Sequence, residues 1–143
     1  MMNDKFCKEW ISRAEKEDAN SVYQFMCYYI VINHLYDSLQ GRNELDRFIT
    51  YIQSVVHSYN YSPFSVLAED SEILKGVKSE RRNRSTNKTK LSNGDIDELV
   101  TSIYYVRCNL FHGSKSMDSP RSQGLIADCC KVLRSLFEMI NIQ

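Results

Sequence analysis

Glycine and proline are scarce in this chain, and their scarcity restricts the folds that it can adopt. Only five glycines and two prolines occur among the 143 residues. Antiparallel sandwiches and barrels need many tight turns, and such turns depend heavily on these two residue types. The composition therefore argues against an all-β architecture and favours a globular domain with few tight turns.

The chain also lacks any long apolar run. No stretch approaches the roughly 20 apolar residues that a membrane-spanning helix needs. The opening segment MMNDKFCKEW does not contain the apolar centre of a signal peptide. We therefore expect a cytosolic protein that does not enter a membrane.

Metal-ligand spacings and disulfide patterns are missing as well. The five cysteines are an odd number without a C-x-x-C pair, and the three histidines show no H-E-x-x-H spacing. We expect reduced and mostly buried thiols, no metal site and no cofactor. His34 and His57 are better read as surface or packing histidines than as ligands.

Apolar residues recur at helical spacing over most of the chain. The pattern predicts helices at about 3–17, 22–39, 45–59, 95–113 and from 125 to the C-terminus, with one broken or two short helices in the weaker stretch 63–77. Asn20 and Ser21 are candidate caps of the second helix, and Ser92 or Asn93 of the later one. We expect a single domain over 1–143, an all-α up-down bundle of four to six helices.

A basic stretch interrupts this pattern at about 78–94. It carries six basic residues against one acid, Glu80, so its local net charge is +5 although the whole chain has net charge zero. We expect a flexible, solvated loop, and RNA affinity in this protein must come from such a local patch. The candidate RNA-binding residues are Arg81, Arg82, Arg84, Lys88 and Lys90, with Lys115 further along the chain.

One arginine stands where a core residue is expected. On the helix that ends near Gly113, Val100, Ile103, Leu110 and Phe111 form an apolar side, with Arg107 in its middle. A buried guanidinium needs a partner. Arg107 is therefore a structural arginine paired with an acid or carbonyls, part of a protein interface, or the lining of an anion-binding cleft.

His112 follows five residues later and favours the third alternative, an anion-binding cleft. An imidazole moves protons near neutral pH, and an arginine stabilises charge on a phosphorane. No metal is needed when the 2′-hydroxyl of RNA is the nucleophile. The two residues are thus a workable pair for RNA cleavage.

The stretch from Ile103 to Ser114, with its pattern Y-x-V-R-C-N-L-F-H-G, resembles the signature of the HEPN superfamily, the higher eukaryote and prokaryote nucleotide-binding domains. The apolar segment FMCYYIVINHLY, interrupted by Asn33, looks like the second helix of many small bacterial HEPN proteins. The family often has Asn, Asp or His directly after the arginine, where this chain has Cys108 followed by Asn109.

The resemblance implies a fold, an activity and partners. In HEPN ribonucleases the Arg and His of this motif form the catalytic pair, which here are Arg107 and His112. Two protomers usually join their motifs in one cleft, and metal-independent cleavage leaves a cyclic phosphate. Asn109 and Asn33 are candidate supporting residues. The family often acts in toxin–antitoxin or antiviral-defence systems, with a neutralising antitoxin protein as partner.

Two other functions are compatible with the same residues. A non-catalytic HEPN module would use Arg107 and His112 to bind a nucleotide or to hold an interface as an adaptor. A helical interaction protein outside the family would use the arginine in a structural ion pair. A composite cleft with both motifs would favour the enzyme, whereas burial of Arg107 against an acid of its own chain would contradict it.

Overall fold

The computed structural model describes residues 4–58, 93–111 and 120–140, and nearly all of them are helical. The helices are α1 (Lys5–Glu15), α2 (Val22–Asp37), α3 (Glu44–Ser58), α4 (Asn93–Phe111) and α5 (Pro120–Ile140). No strand occurs within these three ranges, which confirms the all-α class for the part of the chain described.

Side-chain caps fix where the first two helices begin. The Asp4 carboxylate accepts a hydrogen bond from the backbone N–H of Cys7 at 3.0 Å, and the Ser21 hydroxyl accepts one from the N–H of Gln24 at 3.2 Å. Each cap satisfies an N–H group that has no partner inside its helix. Ser21 therefore has the predicted capping role, and Asn20 precedes it in the left-handed region with φ of 60°.

Helix α2 is the centre of the bundle. It packs against α1, α3 and α5, while α4 packs against α3 and α5. Its side chains Val31, Ile32 and Tyr36 are completely buried, and Phe48 of α3 and Leu136 of α5 are equally inaccessible. Burial of this kind on three neighbours supplies most of the free energy that holds a helical bundle together.

The last two helices begin earlier than the sequence pattern predicts. Helix α4 starts at Asn93, so the last two residues of the predicted basic loop are helical. Helix α5 starts at Pro120, five residues before the predicted start at 125. Proline suits a first helical turn because its missing N–H would have no partner there. The rest of the predicted loop and the stretch 63–77 lie outside the described residues.

All five cysteines are free thiols, as predicted. Cys7, Cys27, Cys129 and Cys130 are buried, and Cys108 is half-buried. Within the described ranges, no helix is long and apolar enough to span a membrane.

Candidate functional site

Arg107 lies at the edge of the buried face of α4, not in its middle. Val100 and Ile103 are buried, whereas Phe111 is 54% exposed. The sequence pattern was wrong to place Phe111 with the core. The buried face is centred on Leu99, Ile103 and Val106, and Arg107 is rotated from its centre towards Tyr104 and Phe111. The guanidinium is therefore half-buried, and its side chain keeps 24% of its surface exposed.

Three aromatic rings surround the guanidinium. Its central carbon lies 5.3 Å from the ring centre of Tyr29, 5.7 Å from that of Tyr104 and 5.0 Å from that of Phe111. These distances are within the range of cation–π attraction, which is stronger when water is partly excluded. Aromatic rings of α2 and α4 therefore hold a positive charge near the surface without accepting hydrogen bonds from it.

One acid of the same chain approaches this cation. Glu44, the first residue of α3, places Oε2 at 3.6 Å from Nη1 of Arg107. Its other oxygen, Oε1, accepts a 2.6 Å hydrogen bond from the hydroxyl of Tyr36. The hydroxyls of Tyr36 and Tyr29 lie 2.9 Å apart. The carboxylate is thus anchored to a buried tyrosine pair on α2, and it faces Arg107 at a distance longer than a charge-assisted hydrogen bond.

The hydrogen bonding of Arg107 is correspondingly weak. Among the described residues it donates to the sulfur of Cys108, with Nη1 and Sγ 3.8 Å apart, and its buried Nε has no partner there. Burial opposes the charge, but the Cys108 sulfur and the Glu44 carboxylate outweigh it and raise the pKa of Arg107 above its usual value. Arg107 is therefore always charged and has donors that no described oxygen occupies.

A second half-buried arginine shows a different arrangement. Arg134 of α5 donates to the Tyr28 hydroxyl at 3.3 Å, to Oδ1 of Asn20 at 3.0 Å and to Oε1 of Gln24 at 2.7 Å. Gln24 also donates to the carbonyl of Ala14 at 3.0 Å. Arg134 joins α5 to α2 and to the turn before α2, so its donors serve the fold. Compared with Arg134, Arg107 has donors without a described oxygen partner, and the buried Nε of Arg47 on α3 likewise has no partner among the described residues.

The supporting asparagines are half-buried. Asn33 follows Tyr29 by four residues and precedes Tyr36 by three, so it shares their face of α2. No hydrogen bond described here joins it to Arg107. Asn109 lies two positions after Arg107, and α4 therefore turns its side chain to another face. Their supporting roles stay predictions.

The remaining predicted site residues lie outside the described residues. They are His112, Lys115 and the basic candidates Arg81, Arg82, Arg84, Lys88 and Lys90. Within the described residues, α4 runs to Phe111.

The structure also brings together three side chains of metal-ligating type that have no recognisable sequence spacing. The ligand atoms of Asp4, Cys7 and His34 all lie within 4.8 Å of one another. Nε2 of His34 is 3.1 Å from Oδ2 of Asp4, and the imidazole stacks on Phe6 with ring centres 4.3 Å apart. Capping of α1 and packing of α1 against α2 account for these contacts, and burial raises the pKa of the Cys7 thiol to about 12.

Sequence reasoning missed the groups that hold Arg107. Glu44 gives only the signal of an acid in the first turn of a helix, where acids are common. Tyr29 and Tyr36 have the spacing of ordinary core residues. Their meeting depends on how α2, α3 and α4 pack, which no local pattern encodes.

Searches against protein-family models, curated proteins and solved structures found no match to this chain.

Proposed function

We propose that this chain is a metal-independent endoribonuclease of the HEPN type, folded as an up-down bundle and acting in the cytosol as a homodimer with a composite cleft. Its setting is a toxin–antitoxin or antiviral-defence system, in which an antitoxin protein neutralises it. The basic stretch at about 78–94 supplies sequence-tolerant contacts to RNA phosphates.

The charge, exposure and hydrogen bonding of the Arg107 guanidinium support this proposal most. It is permanently charged, partly exposed and held by aromatic rings, and among the described residues its donors meet no oxygen within hydrogen-bond distance. Arg134, by contrast, donates to the side-chain oxygens of Asn20 and Gln24. Arg107 is therefore suited to bind a phosphate oxygen.

The reaction follows from the two residues of the motif. A 2′-hydroxyl of RNA attacks the adjacent phosphorus, and the bond from phosphorus to the 5′-oxygen breaks. In the proposal, His112 transfers the protons, and Arg107 stabilises the charge on the phosphorane oxygens. The products are a 2′,3′-cyclic phosphate and a free 5′-hydroxyl, with no metal required.

Cleavage of labelled single-stranded RNA and transfer RNA in EDTA tests the proposal. Wild type is expected to cut, and Arg107→Ala and His112→Ala to lose at least about a hundredfold in rate, the size of a typical acid–base or charge-stabilisation effect. Circular dichroism checks that both variants are folded. Arg42→Ala is a matched control because it also removes one positive charge, from a side chain that is 92% exposed. Equal cleavage by wild type and both site variants would overturn the assignment.

A second candidate function rests on Glu44. An acid of the same chain beside Arg107 is what a structural ion pair in a non-catalytic adaptor or interaction module would show, although neither side chain is fully buried, with 24% and 26% exposed. That candidate predicts a folded dimer that is inert towards every RNA in EDTA. The cleavage assay therefore separates the two functions.

A further inference from the structure

The contact between Glu44 and Arg107 is unusually long for a partly buried ion pair. The nearest oxygen and nitrogen are 3.6 Å apart, whereas paired arginines and carboxylates approach to about 2.8 Å when nothing restrains them. The same carboxylate accepts a 2.6 Å hydrogen bond from Tyr36. Glu44 is therefore held more closely by a neutral hydroxyl than by the cation it faces.

The restraint on Glu44 is built from buried groups. Tyr36 is completely buried, stacks on Phe48 with ring centres 5.0 Å apart and lies 2.9 Å from the Tyr29 hydroxyl. Burial is the main cause that raises the pKa of Tyr36 far above its usual value, so its hydroxyl remains a neutral donor. The tyrosine cannot follow Glu44 if the carboxylate moves towards Arg107.

We propose that Glu44 is a built-in counter-ion of Arg107 that limits how tightly the site holds a phosphate, and that Tyr36 keeps this carboxylate from closing onto the arginine. The inference rests on the proposed function, because it names Arg107 as the phosphate-binding group. An incoming phosphate meets both the cation and the nearby carboxylate. Attraction to one and repulsion from the other then set a moderate affinity, which allows the cleaved product to leave.

The two contacts of Glu44 make opposite predictions for two variants. Glu44→Gln removes the negative charge but keeps an oxygen that can accept the Tyr36 bond, so binding of a phosphate should tighten. Tyr36→Phe removes that bond and frees the carboxylate to approach Arg107, so binding should weaken. The double variant has no carboxylate charge that could move towards Arg107, so it should bind the phosphate as Glu44→Gln does.

Fluorescence anisotropy with a short, labelled 2′-O-methyl oligonucleotide measures these affinities, because this RNA analogue lacks the attacking hydroxyl and is not cleaved. We expect Glu44→Gln to bind about fivefold more tightly, which corresponds to a half-exposed pair worth about 1 kcal/mol. Asp46→Asn is the matched control, since it removes an acid from the same first turn of α3 that pairs with Arg42. Its affinity should change less than twofold.

The outcomes separate the inference from the function on which it rests. If Arg107→Ala binds the analogue as wild type does, the phosphate site itself is wrong. If Arg107→Ala loses binding but Glu44→Gln binds equally or more weakly, the site stands and the counter-ion role is overturned. Should Tyr36→Phe fail to fold, the comparison of Glu44→Gln with Asp46→Asn decides alone.

Discussion

At the scale of single residues, two arginines show how surroundings decide what a side chain does. Both are half-buried, and both lie against aromatic rings. Arg134 meets neutral oxygens that its fork of donors can reach, so it cross-links the fold. Arg107 contacts aromatic ring faces and the Glu44 carboxylate, which is hydrogen-bonded to Tyr36. Its charge is therefore held in place, while donors remain that can bind a phosphate oxygen.

This difference predicts unequal effects on stability. Arg134→Met should lower the free energy of unfolding by about 2 kcal/mol, because it leaves the oxygens of Gln24 and Asn20 without their charged donor. Arg107→Met should cost less than about 1 kcal/mol, since it removes a half-exposed ion pair. Urea unfolding of the two variants beside wild type measures both values. A larger loss for Arg107→Met would identify Arg107 as the structural arginine.

At the scale of helices, the turn between α2 and α3 places Glu44. Gly41 lies so close to the first turn of α3 that a Cβ atom there would stand 2.8 Å from Cγ of Arg47 and 3.1 Å from its backbone nitrogen. The side chain of Asn43 accepts a 2.9 Å hydrogen bond from the N–H of Asp46. The close turn and the cap together fix where α3 begins. They therefore also fix the position along the bundle at which Glu44 faces Arg107.

The helices were predictable where local signals agree. Strong apolar spacing, the cap at Ser21 and the break near Gly41 predict α1 to α3 within about two residues at each end. The start of α5 was missed because Gly and Pro close together indicate a turn, whereas proline at a first helical position continues into a helix. The candidate site was predictable only through Arg107 and the motif around it. Glu44 and the tyrosine pair were not, because their contact is tertiary.

At the scale of the whole molecule, buried thiols are distributed through the core. Burial raises the pKa of Cys7 and of Cys130 from 9.0 to about 12, and raises that of the fully buried Cys129 well above its usual value. These thiols come from α1 and α5, so the core that packs around α2 keeps them neutral. The fold is thus linked to the protonated state of several cysteines.

This linkage predicts a loss of stability in alkaline solution. Below about pH 8 the thiols are mostly protonated in both states, so they add little pH dependence. Between about pH 9 and 12 the unfolded chain releases protons that the folded chain retains, and the free energy of unfolding falls by up to about 1.4 kcal/mol per pH unit for each thiol. Urea unfolding under reducing conditions at about pH 7 and pH 10 measures the fall. Cys130→Ala should reduce the fall in the free energy of unfolding between these two pH values. An unchanged fall would contradict the raised pKa of Cys130.

In our proposal, Arg107 presents its guanidinium to an RNA phosphate, whereas Arg134 stabilises the fold. The most direct test is to follow the Nε–H signals of both arginines by nuclear magnetic resonance while the 2′-O-methyl oligonucleotide is added, with Arg107→Lys and Arg134→Lys spectra to assign them. We expect the Arg107 signal to move until the oligonucleotide saturates the site, and the Arg134 signal to stay in place. A stationary Arg107 signal at saturating oligonucleotide would contradict it.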